Sequence, residues 1–175
     1  MAKIKNVIGR QVFDSRGNPT VEAEIYLDDG SSATAISPSG ASTGAFEAHE
    51  LRDKEQNKFL GKSVNIAVQN INSKISNKLK KLNFNEQEKI DKILIELDGS
   101  ENKTNLGANA TLAVSLAYAK CTAIANKQSL YKSLGTSYSL PIPLMNIING
   151  GAHADNDLNI QEFMIRPDSA KNFTD

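Results

Sequence analysis

The feature that most constrains this fold is a change in hydrophobic period partway along the chain. Between Val21 and Leu27, apolar side chains alternate with Glu22, Glu24 and Tyr26, which is the two-residue period of a strand with one buried face. From Val64 to Leu82 the apolar side chains instead recur every three or four residues, which is typical of an amphipathic helix. Strands followed by helices predict an α+β domain over residues 1–137.

The first part of this domain is predicted to be a three-stranded antiparallel meander. Strand-forming residues occupy Ile4–Phe13, and the turn-forming run Asp14–Pro19 follows them. After the alternating segment, residues 28–30 mark a turn into a returning strand over Ala33–Ile36.

Helices are predicted for the rest of the domain. Ser63 is the expected N-cap of the first helix, which continues to Leu82. Asn85 and Glu88 have the spacing of a capping box for a second helix, and Asp98-Gly99 ends that helix. Residues 108–125 are rich in alanine and apolar nearly all round, so a helix buried on all sides is expected there.

A second domain is predicted over residues 138–175, after a joint that contains Pro141 and Pro143. Two apolar, β-branched runs at 142–149 and 160–166 lie about ten residues apart, which is too short for a helical crossover between parallel strands. The two runs therefore predict an antiparallel, hairpin-like pair.

The strongest candidate site lies in the loop and strand that join these two runs. Gly150 and Gly151 allow close backbone approach, and His153 follows them. Gln161 and Glu162 lie in the second run, where a carboxylate among apolar residues needs a partner or a shifted pKa. A structural histidine and an ion-paired glutamate at a strand edge are the alternatives, whereas the grouping of polar residues favours the rim of an active site.

A second candidate is the loop of small residues Ser37–Gly44. The hydroxyl groups of Ser39, Ser42 and Thr43 are suitable oxygen ligands for a hard cation or a phosphate, with Gly40 and Gly44 as hinges. The alternative is a flexible connection without a ligand. The loop is not a P-loop, because no lysine follows Gly44.

Charge and cysteine content narrow the class of protein. Lys+Arg and Asp+Glu each total 20, so the formal net charge of +0 indicates no binding of nucleic acid or of an anionic membrane surface. The single cysteine, Cys121, excludes an internal disulfide and suits a reducing compartment. No apolar run approaches the roughly 18–20 residues of a membrane span, and no signal-peptide core is present, so we expect a cytoplasmic protein.

Five separated segments resemble enolases, in the order that the family has them. They are Asp14–Glu22, Ser37–Gly44, Glu50–Asp53, Gly107–Ala110 and residues 141–165. One serine-rich loop would be a weak match, whereas five ordered segments are specific. The resemblance implies an N-terminal α+β capping domain, followed by the first two strands of a truncated β/α (TIM-like) barrel.

The resemblance also implies the reaction and its residues. Enolases are lyases that reversibly dehydrate 2-phosphoglycerate to phosphoenolpyruvate in glycolysis and gluconeogenesis, with two Mg²⁺ ions per active site. Glu162 and His153 are the implied catalytic residues, and Glu162 matches the glutamate that assists departure of the substrate hydroxyl. Gln161, His153 and Glu162 match substrate-contacting positions, as does Ala41. Ser42 matches a ligand of the second Mg²⁺, and it belongs to a lid that contacts substrate and comprises Ser39, Gly40, Ala41, Ser42 and Thr43.

The family pattern further implies a homodimer or a higher homo-oligomer, with Arg10 and Glu22 at the dimer interface. Some enolases also have binding roles at the cell surface or outside the cell.

In the family, the lysine base, a second catalytic glutamate and three metal-binding carboxylates lie beyond the position of Asp175. We therefore expect a polypeptide of these 175 residues to be an inactive N-terminal part of an enolase.

Two other classes of protein stay open. One is a non-catalytic module, derived from the cap domain and retained for dimerisation or protein binding. The other is a different member of the enolase superfamily, acting on another carboxylate. The complete Ser39–Gly44 loop and the block Gly150–Glu162 favour enolase itself over this second alternative.

Overall fold

The alternating segments form an antiparallel sheet in the computed structural model, which describes residues 2–40, 44–80, 82, 86–172 and 174. Gly9 pairs with Ala23, and Ala23 pairs with Ala35, so the buried residues of the three strands share one face. The predicted meander is confirmed, and its strands lie in the order β1 (Ile4–Phe13), β2 (Pro19–Leu27) and β3 (Ser32–Ser37).

Asp14 closes the turn between β1 and β2. Its Oδ1 atom accepts the backbone N–H groups of Arg16 and Asn18, each at 2.9 Å. The hydrogen bond from Asn18 is the main reason why the pKa of Asp14 lies below its usual value, and the charge of Arg16 adds to it against the effect of burial. Gly17 has a φ of 74°, a left-handed conformation that favours glycine.

The first helical segment is interrupted and ends earlier than predicted. Helix α1 (Asn65–Asn70) continues through a π-helical turn (Ile71–Ile75) into α2 (Ser76–Leu79). The prediction of one uninterrupted helix to Leu82 is therefore wrong. The π turn contains one more residue than an α turn, and it directs the adjacent residues Ile71 and Asn72 towards β1.

The N-terminus of α1 is capped by Asp53, and the predicted cap at Ser63 is wrong. The Asp53 carboxylate accepts the backbone N–H groups of Asn65 and Ile66, each at 2.9 Å. Burial acts to raise the pKa of Asp53, but these hydrogen bonds bring it below its usual value. The Ser63 hydroxyl donates instead to Gln11 Oε1 at 2.9 Å.

Helix α3 (Gln87–Asp98) ends where the sequence predicts. Gly99 follows it with a φ of 69°, and its backbone N–H donates to the Ile95 carbonyl in a left-handed C-cap. Asn85, one half of the predicted capping box, lies outside the described residues. The structure assigns Glu86 as N-cap, without a hydrogen bond from its side chain.

Helix α4 (Ala108–Ala125) packs against β2 and β3, and the short helix α5 (Leu130–Ser133) follows it. Val114 and Cys121 are fully buried on the side that faces the sheet. Burial raises the pKa of the Cys121 thiol to about 11, so this group is protonated and serves packing. The prediction of a helix buried on all sides is wrong because a sheet covers one side only, and three residues stay 40–52% exposed: Leu112, Leu116 and Ile124.

The chain divides into two units, one of residues 1–39 with 46–135 and one of residues 40–45 with 136–175. The second unit contains β4 (Met145–Asn149) and β5 (Glu162–Ile165), which pair antiparallel as predicted. Both strands are shorter than the predicted ranges, and most of their side chains are exposed. No helix in the described part of the chain has the length and apolar character needed to cross a membrane.

Candidate active site

Close backbone contact at Gly150 joins the end of β4 to the start of β5. The Gly150 N–H donates to the Gln161 carbonyl at 3.0 Å, and the Gly151 N–H donates to the Leu158 carbonyl at 2.7 Å. A Cβ atom on Gly150 would lie 2.5 Å from the Ile160 carbonyl oxygen and 2.6 Å from Leu158 Cβ. Only glycine fits this position without displacement of the neighbouring backbone.

His153, Gln161 and Glu162 form one cluster at this end of the hairpin. His153 Nδ1 lies 2.8 Å from Glu162 Oε1, and His153 Nε2 lies 3.1 Å from Gln161 Nε2. The side chains of His153 and Glu162 are 21% and 27% exposed, so a small molecule can reach them. A carboxyl group beside an imidazole can hold or deliver a proton, and general acid-base chemistry is therefore possible here.

Asn156 orders the loop between the strands and takes no part in this cluster. Its Nδ2 atom donates to the Asn149 carbonyl, and its Oδ1 atom accepts the Leu158 N–H, each at 3.0 Å. The loop therefore has internal hydrogen bonds that hold its two ends together.

A second polar cluster, in the first unit, surrounds Ser39 of the Ser37–Gly44 loop. The Ser39 hydroxyl donates to Glu50 Oε1 at 2.5 Å and accepts Arg52 Nη2 at 2.7 Å. The Ser39 carbonyl accepts Arg16 Nη2 at 2.7 Å. Ser39 is thus fixed on three sides. Three of the other four proposed lid residues, Ala41, Ser42 and Thr43, lie outside the described residues.

Arg52 ties the Ser39 cluster to the rest of the first unit. Its guanidinium donates to the carbonyls of Pro19, at 3.1 Å, and Lys62, and it forms an ion pair of 2.8 Å with Glu50. The Arg52 side chain is 17% exposed. The planar guanidinium group presents several donors in fixed directions, which suits it to hold several acceptors at once.

The segment that follows the loop is held by the N-terminal end of α4. Asn109 accepts the Leu51 N–H at 3.2 Å through Oδ1, and its Nδ2 atom donates to the Leu51 carbonyl at 3.0 Å. A Cβ atom on Gly107 would lie 2.6 Å from Leu51 Cβ, and the φ of Gly107 is 95°. The Gly107–Ala110 motif therefore has a structural role at this contact.

Sequence reasoning missed the roles of Glu50 and Arg52, because it identified their segment only by resemblance. The available signal was the alternation Glu50-Leu51-Arg52. In an extended segment this spacing places two opposite charges on one side and the apolar residue on the other.

Arg10 and Glu22, the residues predicted at a dimer interface, pair with each other on the sheet face opposite the core. Their side chains lie 3.2 Å apart, and Arg10 also lies 2.5 Å from Glu24. The hydrogen bond to Glu24 raises the pKa of Arg10. The pKa of Glu24 is lowered chiefly by a hydrogen bond from Tyr26 and then by Arg10, against the effect of burial. The interface role stays a prediction.

The described residues contain no group of three or more His, Cys, Asp or Glu side chains that could hold a metal ion. The predicted ligand Ser42 would supply one hydroxyl oxygen. Mg²⁺ prefers oxygen ligands, and it commonly takes one or two from the protein while it keeps several waters. A single serine oxygen is therefore a chemically suitable contribution to a Mg²⁺ site.

Comparison with known proteins identifies the family of the chain. The family model described as "Enolase, N-terminal domain" matches residues 4–134, and the one described as "Enolase, C-terminal TIM barrel domain" matches residues 137–175. A curated enolase from Pelagibacter ubique (strain HTCC1062) is 59% identical over 177 aligned residues. The alignment covers 100% of this chain and 42% of the relative, so the chain spans less than half of the relative's length. The chain belongs to the enolase family, and it comprises the N-terminal α+β domain and the start of the TIM barrel domain.

Proposed function

We propose that the natural full-length protein is a lyase that reversibly dehydrates 2-phosphoglycerate to phosphoenolpyruvate. The observation that carries this proposal is the cluster of His153, Gln161 and Glu162 at the end of the β4–β5 hairpin. Membership of the enolase family supports the same reaction, as does 59% identity to a curated enolase across the whole chain.

In this reaction a proton leaves the carbon next to the substrate carboxylate, and a hydroxyl group leaves the adjacent carbon. Glu162 delivers a proton to the departing hydroxyl, which leaves as water, and takes a proton from water in the reverse direction. The hydrogen bond from His153 orients the Glu162 carboxyl group. His153 and Gln161 contact the polar groups of the substrate, and Ala41 contributes to substrate binding from the loop.

Mg²⁺ is the proposed cofactor, with two ions per active site and Ser42 as a ligand of the second. When bound, Mg²⁺ stabilises the negative charge that builds on the substrate carboxylate. The lysine base, a second catalytic glutamate and the carboxylate ligands of the first ion are supplied, by family resemblance, by residues outside these 175. Addition of a chelator is expected to abolish activity of the full-length protein.

The role of Glu162 is tested by Glu162→Gln in the full-length protein, assayed with 2-phosphoglycerate and Mg²⁺. The amide keeps the size of the side chain but cannot deliver a proton, so kcat is expected to fall about a hundred- to ten-thousand-fold. Glu96→Gln is the matched control, because the same chemical change is made at an exposed helix position in the first unit. Equal turnover by Glu162→Gln and the wild type would contradict the assigned role.

We further infer a homodimer or higher homo-oligomer, with Arg10 and Glu22 on the contact face, and a cytoplasmic role in glycolysis and gluconeogenesis. The ion pairs of Arg10 support this because they order an outward sheet face that a second copy could cover. The single buried thiol of Cys121 suits a reducing compartment. A monomeric mass of the full-length protein in solution would contradict the proposed assembly.

A further inference from the structure

The hydrogen bonds of His153 select one of its two neutral tautomers. Oε1 of Glu162 accepts a hydrogen bond when the carboxyl group is ionised and also when its proton is on Oε2, so the proton in the 2.8 Å contact with Oε1 belongs to His153 Nδ1. An amide nitrogen only donates, so Gln161 Nε2 supplies the proton in the 3.1 Å contact with His153 Nε2. The Nε2 atom is then a lone-pair acceptor, and the neutral Nδ1–H tautomer satisfies both contacts.

Backbone hydrogen bonds of a single residue, Gly150, hold both Gln161 and His153. The Gly150 N–H donates to the Gln161 carbonyl, and the Gly150 carbonyl accepts the His153 N–H, each at 3.0 Å. The lack of a side chain on Gly150 permits this close arrangement. Gln161 and His153 are therefore placed relative to each other by fixed backbone hydrogen bonds, and their contact does not depend on two independently flexible segments.

We propose that Gln161 is a positioning residue that holds His153 as the Nδ1–H tautomer and so keeps this proton directed at Glu162. The bond made by one ring nitrogen of a histidine determines which nitrogen carries the proton. Without the Gln161 donor, His153 has no reason to keep Nε2 unprotonated, and the Nε2–H tautomer then competes with the Nδ1–H tautomer. This inference deepens the proposed function and rests on it only for its effect on turnover.

The direct test is ¹⁵N NMR of the full-length protein labelled at histidine, without ligand and near neutral pH. A difference spectrum against His153→Asn assigns the resonances of His153. The wild type is expected to show a protonated Nδ1 and an unprotonated Nε2. Because this measurement is made without substrate, any contact of Gln161 with substrate does not affect it.

Two substitutions remove the amide donor of Gln161 in different ways. Gln161→Glu keeps the shape but replaces the amide donor with an acceptor, so His153 is expected to gain a proton on Nε2. Gln161→Leu removes the polar group, so a mixture of the two neutral tautomers is expected. Gln128→Leu is the control, because Gln128 is an exposed glutamine in the first unit, and its spectrum should match the wild type at His153.

The same variants are assayed for turnover of 2-phosphoglycerate. Loss of a residue that orients a metal-bound histidine typically costs roughly 10- to 100-fold in metal affinity or activity, and by analogy a fall of that size in kcat/KM is expected for Gln161→Leu. The spectrum decides the inference, since turnover alone would also fall if Gln161 only bound substrate.

Three spectroscopic results would overturn the inference. A wild-type spectrum with Nε2 protonated and Nδ1 bare contradicts the assigned tautomer. Two protonated nitrogens in the wild type would mean an imidazolium facing a reversed Gln161 amide. An unchanged spectrum in Gln161→Glu would show that Gln161 does not control the ring. If the wild type shows the expected tautomer but no turnover, the proposed function fails and the positioning role stands.

Discussion

A single buried carboxylate, that of Asp98, organises the turn between α3 and α4. Its Oδ2 atom accepts the Leu106 N–H at 2.7 Å, and its Oδ1 atom accepts the Ser100 N–H at 3.0 Å and the Ser100 hydroxyl. Burial acts to raise the pKa of Asp98, but the bonds from Ser100 and Leu106 bring it below its usual value of 3.8. The ionised form of Asp98 is therefore the one that stabilises the folded state.

Asp98→Asn is expected to lower the free energy of unfolding at neutral pH by about 1–3 kcal/mol, because one acceptor oxygen becomes a donor that faces N–H groups. A carboxyl group whose pKa is lower in the folded state than in the unfolded state stabilises the fold at pH values above its unfolded pKa. This stability is lost as the pH falls through the pKa of the folded state. The difference between wild type and variant should therefore shrink below a pH of about 4. Urea unfolding of both proteins, at pH values above and below about 4, measures this difference in free energy.

Glu101→Gln, at an exposed position in the same turn, is the control for this experiment and should cost little at either pH. A difference between wild type and Asp98→Asn that stays constant as the pH falls would contradict the assigned ionised state.

At the residue scale, the structure brings together the predicted residues His153, Gln161 and Glu162, and their role in a site stays a prediction. A histidine after two glycines and a Gln-Glu pair in an apolar strand are unusual patterns, and the antiparallel pairing brings them together. The cap at Asp53 and the bonds of Arg52 were not predictable. The cap and the bonds of Arg52 to Ser39 and Lys62 join residues ten or more positions apart, and local spacing does not encode such contacts; only the pairing of Arg52 with Glu50 is local.

At the scale of elements, a close contact joins β1 to the π-helical turn in the first unit. Asn72 accepts the Gly9 N–H at 2.8 Å and donates to the Gly9 carbonyl at 3.0 Å. This pairing satisfies the backbone groups of Gly9 on the open edge of β1, which is an outer strand of the sheet. Ile71, the adjacent residue, is fully buried against the same glycine.

Gly9→Ala is therefore expected to lower the free energy of unfolding by about 1–3 kcal/mol, since added volume in a packed contact must be relieved by movement. A Cβ atom on Gly9 would lie 2.9 Å from Ile71 Cβ and 3.0 Å from Ile71 Cγ2. Gly135→Ala is the matched control, because no atom lies within 4 Å of its Cβ position. Chemical denaturation of both variants measures the effect, and equal stability of the two would show that the contact is looser than described.

The types of element were predictable, whereas the interruption of the helix was not. The spacing of Val64, Ile71 and Ile75 fits a regular helix, and nothing local marks an added residue. The π turn places two consecutive residues, Ile71 and Asn72, against Gly9 of β1, and this is a tertiary contact that local spacing does not encode.

At the scale of the whole molecule, the two units contribute different polar clusters. The first unit holds the stem of the serine-rich loop at Ser39, and the second holds His153, Gln161 and Glu162 on a hairpin. The change of hydrophobic period predicted the α+β class of the first unit, and five ordered motifs predicted the family. Periodicity alone could not predict a TIM barrel from two strands, because two strands are compatible with many folds.

The most direct test of this account is a side-by-side assay of 2-phosphoglycerate dehydration with Mg²⁺, by the natural full-length protein and by a polypeptide of residues 1–175. We predict turnover by the full-length protein and none by residues 1–175, because the base and most metal ligands are assigned to other residues. Turnover by residues 1–175 would contradict that assignment. Absence of turnover by the full-length protein would contradict the proposed function and favour a non-catalytic binding role.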